Sequence, residues 1–91
     1  FNPKEAFSLW HEAASAGHAD AQFSLACCYV DGFGTVVDQE KATLWHLKAA
    51  EKRVIDSQYN IAIRYEEGLG VERNLLEAER WYIEAAISGL L

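Results

Sequence analysis

The sequence is short of most things that mark catalysis, secretion or membrane insertion. It has one proline and no methionine, and its apolar runs are only a few residues long. Nothing here is long enough to cross a bilayer. Basic charge is scarce: 8 Lys and Arg stand against 14 Asp and Glu, a net charge of −6. That balance excludes a nucleic-acid groove, which needs clustered cations, and argues equally against an anionic membrane surface. The two cysteines, Cys27 and Cys28, are adjacent. Neighbours on a helix point about 100° apart, a poor geometry for a mutual disulfide. With no Asn-x-Ser/Thr sequon either, the chain leans toward a reducing compartment. Phe1 is not an initiator Met and no signal-peptide core follows it, as expected of an excised or processed segment.

What is present is a repeat. Residues 18–53 laid over residues 54–89 keep a gap-free register of 36 residues. Gln22, Ala26, Tyr29, Gly32 and Gly34 meet Gln58, Ala62, Tyr65, Gly68 and Gly70. Ala42, Trp45, Ala49 and Ala50 meet Ala78, Trp81, Ala85 and Ala86. Residues 1–17 carry the second half of another copy, with Asn2, Ala6 and Ala13-Ala14 on Asp38, Ala42 and Ala49-Ala50. The expected organisation is one continuous domain over 1–91. It comprises the second helix of a partial repeat at 1–17 and full repeats at 18–53 and 54–89.

Each unit reads as two helices. Gln22, Leu25, Ala26 and Tyr29 follow one helical stripe, and Gly32 and Gly68 stop the first helix in the left-handed conformation. Asn2, Asp38 and Asn74 are equivalent N-caps of the second helix, with Pro3 at a first helical position. Gly17 and Gly89 are expected to end that helix, whereas Arg53 stands where a glycine is expected. The pattern predicts five helices, near 3–16, 18–31, 38–52, 54–67 and 74–88, and no strand. Alanines allow close helix approach, and Trp45, Trp81, Tyr29 and Tyr65 are expected to fill the core. A lone helix pair cannot cover its apolar faces, so the pairs must stack.

These residues resemble the Sel1-like repeats, a subclass of the tetratricopeptide-like (TPR-like) helix-turn-helix repeats. The first full copy carries the pattern in Ala19, Ala21, Gln22, Leu25, Ala26, Tyr29, Gly32 and Gly34, then Asp38, Ala42, Trp45, Ala49 and Ala50. Thr35, His46 and Arg53 depart from the valine, tyrosine and glycine of that pattern. The resemblance implies an all-α superhelix, or solenoid, of about two and a half repeats. It also implies an adaptor or scaffold that binds protein, as such repeats do in quality control, host interaction and kinase regulation.

Catalytic and metal readings find little footing. The three histidines occupy unlike repeat positions: His46 replaces Trp10 and Tyr82, a packing place, His11 lies on a surface, and His18 in a turn. None has a ligand partner at a recurring spacing, so no metal, cofactor or enzyme is expected. Gly-Phe-Gly at 32–34 and Gly-Leu-Gly at 68–70 follow helices and lack the lysine of a phosphate loop. Cys27 aligns with Ile63 and reads as a small hydrophobe; Cys28 aligns with Arg64 and is expected to be the more exposed.

What remains is a surface. Opposite the core stripe, Asp20, Phe23, Cys27 and Asp31 share one face of the first helix, as do Asp56, Tyr59, Ile63 and Glu67 of its copy. An apolar floor with acidic edges on the concave side suits a partner peptide or helix bearing apolar anchors and Lys or Arg. Packing between repeats competes for Phe23 and Tyr59, and plain solvation competes for the acids. Self-association is the alternative function, because a solenoid with uncapped ends exposes apolar faces.

Overall fold

The computed structural model describes residues 2–90; Phe1 and Leu91, the two ends of the expected domain 1–91, lie outside the described residues. Five helices run in order: α1 (Pro3–Ser15), α2 (Ala19–Asp31), α3 (Gln39–Glu51), α4 (Ile55–Glu67) and α5 (Leu75–Leu90). No strand occurs among the described residues. Each helix packs chiefly on its neighbours in sequence. The body measures 38 × 28 × 19 Å, and its least dimension fits two layers of helices about 10 Å across. This is the all-α repeat solenoid that the spacing predicts.

The helices start and stop for local reasons. Asn2 Oδ1 accepts from the Lys4 amide at 2.9 Å, Asp38 Oδ1 from Lys41 at 3.0 Å, and Asn74 Oδ1 from Glu77 at 3.1 Å. Each cap satisfies an amide that the first helical turn leaves open. The first helices of the repeats lack such caps: His18 and Val54 make no side-chain capping bond, and Asp20 and Asp56 lie in the first turn instead. At the other end Gly32 and Gly68 both take φ +71°. Their amides return to Cys28 O and Arg64 O at 2.8 Å.

The second glycine of each Gly-x-Gly has a different task. A Cβ at Gly34 would collide with the Pro3 carbonyl, and one at Gly70 with the Gln39 carbonyl. These loops therefore seat directly on the first turns of α1 and α3. The carbonyl beside Gly70, that of Leu69, accepts from Thr43 Oγ1 at 2.7 Å. The motif is a joint between repeats.

Two apolar clusters form the interior. One gathers Ala14, Ala21, Leu25, Tyr29 and Ala42 with Phe7, Trp10 and Trp45 against it; the other gathers Ala50, Ile61, Ala62 and Trp81 with Leu47 and Tyr65. Leu25 and Ile61 are wholly buried, each stabilising the fold by about 1.5–3 kcal/mol. Gln22 and Gln58 tie helix to helix, donating at 3.2 Å to the Ala14 and Ala50 carbonyls of the preceding helix.

Several expectations need correction. Trp81 and Tyr29 are buried, but Trp45 and Tyr65 are only half-buried. Lys48 covers the outer side of the Trp45 ring at 5.6 Å. Leu9, at the equivalent position of α1, is 67% exposed. Gly89 does not end α5, which continues through it to Leu90. Cys28 is buried, as is Arg64, because position and not residue type decides which side of the helix faces the core.

Arg53 adopts φ +68°, the conformation that Gly17 takes in the preceding turn. The bonds match as well: Arg53 and Val54 amides reach Ala50 O and Ala49 O, as Gly17 and His18 reach Ala14 O and Ala13 O. The turn keeps its shape and the arginine bears the strain. Arg53→Gly is expected to raise stability by up to about 1 kcal/mol in denaturant titration, since the left-handed region disfavours a Cβ by about that much more than glycine's chain entropy offsets. Gly68→Ala should lower stability by about 1 kcal/mol through φ alone. Gly70→Ala should lower it by clearly more, because the loop must leave its seat on α3; equal losses in the two variants would refute the joint.

Candidate partner-binding surface

The eight residues of the expected groove fall on one side of α2 and α4 but are not one pocket. A cavity of about 320 Å³ opens on α2, lined by Trp10, Phe23, Ser24, Cys27, Cys28, Asp31 and Phe33. It brings together Phe23, Cys27 and Asp31. Asp20, Asp56, Tyr59, Ile63 and Glu67 lie outside it; all but Ile63, which is half-buried, are exposed. Asp56 still reaches the cavity through its charge, which acts on Cys27.

Phe23 and Tyr59 each lean edge-on against the following helix. Phe23 meets His46 with ring centres 5.6 Å apart, and Tyr59 meets Tyr82 at 5.4 Å. Packing and groove lining are thus combined in Phe23, which is half-buried, while Tyr59 keeps 54% of its surface. Trp10 and Phe33 also form the wall, their rings 6.2 Å apart. Sequence reasoning missed both. The available signal was Phe33 between two register-matched glycines, beside a tryptophan where the other copies hold His46 and Tyr82.

Both cysteines at the cavity are held as thiols. Burial pushes the Cys27 thiol up; the Asp31 charge adds to that, Arg64 opposes it and Asp56 adds again. Burial raises Cys28 too, with Cys27 and Asp31 contributing. A thiol held protonated is a poor nucleophile and behaves as a small hydrophobe. Among the described residues no cluster of three or more His, Cys, Asp or Glu is placed to hold a metal ion.

The four candidate acids on the helix ends differ in what explains them. Asp20 and Asp56 sit in first turns, where negative charge complements the helix dipole. Asp31 and Glu67 are the last residues of α2 and α4, where the dipole disfavours an anion by about 0.3–1 kcal/mol. Helix stability does not account for them.

Behind this face lies a polar seam between α3 and α4, unforeseen in the sequence. Arg64 is 4% exposed and pairs with no carboxylate among the described residues; Nη1 donates to Gln39 Oε1 at 2.9 Å and Thr43 Oγ1 at 3.1 Å. Its Nε meets no acceptor among the described residues. His46, 1% exposed, lies with Nδ1 3.2 Å from Ser57 Oγ. Burial, reinforced by the Arg64 charge, pushes His46 from 6.5 down to about 4. At the edge of the second repeat Tyr82 donates to Glu66 Oε1 at 2.7 Å, and that bond pushes the phenol up to about 12.

Comparison with known proteins places this arrangement. The Sel1 repeat pattern matches residues 2–18, 19–53 and 55–90. A Sel1 repeat protein from Oxalobacter formigenes superposes with a TM-score of 0.94 at 34% identity over 97% of this chain and 36% of that one. The protein c5321, a protective antigen present in uropathogenic Escherichia coli strains and displaying an SLR fold, gives 0.92 at 33% identity over 97% of this chain and 19% of that one. Helicobacter pylori cysteine rich protein B gives 0.92 over 98% of this chain and 67% of that one; at 21% identity it shares the fold. The chain thus spans about a third of the first of these and a fifth of the second. No curated protein matches it.

The buried histidine sets a pH dependence. The unfolded chain protonates His46 near 6.5 and the folded chain near 4, so its contribution to stability is fully present above pH 6.5 and is lost as pH falls toward 4. Between pH 7 and pH 5 this one group should lower the unfolding free energy by about 2 kcal/mol. His46→Gln keeps a polar group toward Ser57 without titrating. Its denaturation midpoint should fall less than the wild type's over the same interval; parallel curves would refute the assignment.

Proposed function

The chain belongs to the Sel1 repeat family, and on that premise we propose that it binds a protein segment along the α2–α4 face, as an adaptor or scaffold. Sel1 repeats are in general protein-interaction modules. The observation that carries the proposal is the pairing of an apolar cavity with acids that the helices themselves disfavour. Asp31 lines the cavity at the end of α2, and Glu67 repeats it one unit on at the end of α4. Phe23, Trp10 and Phe33 offer aromatic walls to an apolar anchor. Anchors buried in such walls supply affinity, while charges at the rim steer and select. The occupant that fits is a segment with one bulky apolar side chain and Lys or Arg on both flanks. Asp20, Asp56, Tyr59 and Ile63 extend the same face along the repeat axis.

Selection from a displayed library of 15-residue peptides tests the reading. Wild type should enrich basic peptides with an aromatic or aliphatic anchor. The double variant Asp31→Lys, Glu67→Lys should lose those peptides and favour acidic ones, with stability unchanged or slightly raised because cations suit helix C-termini. Reversal of Glu12, Glu40 and Glu84 should leave the selected charge as it was. If the selected charge follows that second set instead, the working surface is the opposite side.

A further inference from the structure

Where the turn after α3 meets α5, a cleft of about 290 Å³ is lined by Glu51, Arg53, Gln58, Arg80, Trp81 and Glu84, among others. Two of these residues hold buried polar atoms that nothing answers. Gln58 is 1% exposed and Trp81 5% exposed, yet Gln58 Oε1 and Trp81 Nε1 meet no hydrogen-bond partner among the described residues. Gln58 Nε2 is taken, donating to the Ala50 carbonyl. One orphan accepts and the other donates, and buried polar atoms call for partners. Charge of both signs surrounds them. Arg80 is committed, pairing with Glu77 at 2.7 Å and lying over the Trp81 ring at 4.6 Å. Arg53 has no side-chain partner among the described residues, and it is held at a positive φ that Gly17 adopts one repeat earlier. Glu51 and Glu84 complete the rim. The preceding repeat keeps an unpartnered Gln22 Oε1 but not this rim: Ser15, Gly17, Leu44 and Lys48 stand at the positions of Glu51, Arg53, Arg80 and Glu84. Ser15, Leu44 and Lys48 stay exposed although α4 and α5 follow them. A following repeat therefore leaves this place open.

We propose that this cleft binds a free α-amino acid, a site apart from the partner-binding face. The carboxylate of the ligand accepts from Trp81 Nε1 and from Arg53. Its ammonium donates to Gln58 Oε1 and lies against Glu51 and Glu84. A compact zwitterion answers both orphans and both signs of charge at once. A simple anion leaves Gln58 Oε1 unanswered and meets two carboxylates. A simple cation leaves Trp81 Nε1 unanswered and meets Arg53. Water can answer the two orphans, but it gives no reason for an arginine at a backbone position that suits glycine. The small volume fits a molecule of amino-acid size better than a larger ligand.

The indole N–H resonance of Trp81 reports on the cleft directly, and Trp10→Phe and Trp45→Phe distinguish it from the other two. L-Alanine, which carries both charged groups and little else, is the probe. It should shift that resonance and saturate in the millimolar range. N-acetyl-L-alanine and L-alaninamide each lack one charge and should not. Arg53→Gly should weaken binding about tenfold, the equivalent of one good charged contact. That variant removes the positive-φ strain, so its loss of binding cannot come from unfolding, as a thermal melt will check. Glu84→Gln should weaken binding as well. Asp31→Lys, on the α2 face, should leave it unchanged, which keeps the outcome separate from that of the peptide selection. Inorganic phosphate shifting the resonance as L-alanine does would reveal a plain anion site and overturn the proposal. So would equal binding of either blocked derivative, full affinity in Arg53→Gly, or the absence of any saturable shift.

Discussion

The loops that close the first helix of each repeat come to rest on the backbone of the helix before it, and that contact sets the spacing of everything else. At Gly34 and Gly70 no side-chain carbon fits between loop and carbonyl. Once the loop is seated, Leu69 O comes within 2.7 Å of Thr43, and Thr43 becomes the acceptor that holds Arg64. The following helix then starts from a fixed point, since the Asp38 and Asn74 amides return to Tyr29 O and Tyr65 O at 2.9 and 2.8 Å. One missing Cβ per repeat therefore fixes loop path, helix start and side-chain partners together. The two alanine-lined clusters fill in between.

Most of this was legible in the sequence because it is periodic. A 36-residue register with Asn or Asp at one point and glycine at another specifies helix ends by local rules that need no tertiary information. All five helices follow it to within a few residues. The misses have separate causes. Cys28 and Arg64 are unlike residues at one register position, and the arginine's polarity suggested exposure; the position is inward, and Arg64 is buried by packing against Thr43 and Gln39. Gly89 resembles a stop, but glycine stops a helix only where the chain turns. The groove was legible as a face and not as a cavity. Its walls include Trp10 and Phe33, which come from another helix and a loop and do not share the i, i+4 spacing of Phe23, Cys27 and Asp31.

The contacts that α2 and α4 each make with the helix before them are chemically different despite their shared geometry. Around α2 the partners are Phe7, Trp10, Leu25 and Ala21, an apolar contact. Between α3 and α4, Ala50 and Leu47 meet Ile61 and Ala62 as well, but His46, Ser57, Thr43, Arg64 and Gln39 add a buried hydrogen-bonded layer. A buried polar contact of that kind adds little net stability but tolerates few alternatives, because each donor must find its acceptor. It also places a positive charge behind a face whose exposed residues are mostly acidic. That charge acts inward on His46 and Cys27 and leaves the outer rim negative.

Since each helix rests chiefly on its neighbours in the chain, contacting residues are rarely separated by more than about one repeat. Folding then has only short loops to close, and short closures are fast. Either apolar cluster can form first and the other can grow from it, as in a one-dimensional array. The two clusters meet at α3, which gives Ala42 and Trp45 to one and Leu47 and Ala50 to the other. With only the first cluster formed, α4 would not yet cover His46, and its ring would be open to solvent and free to take up a proton.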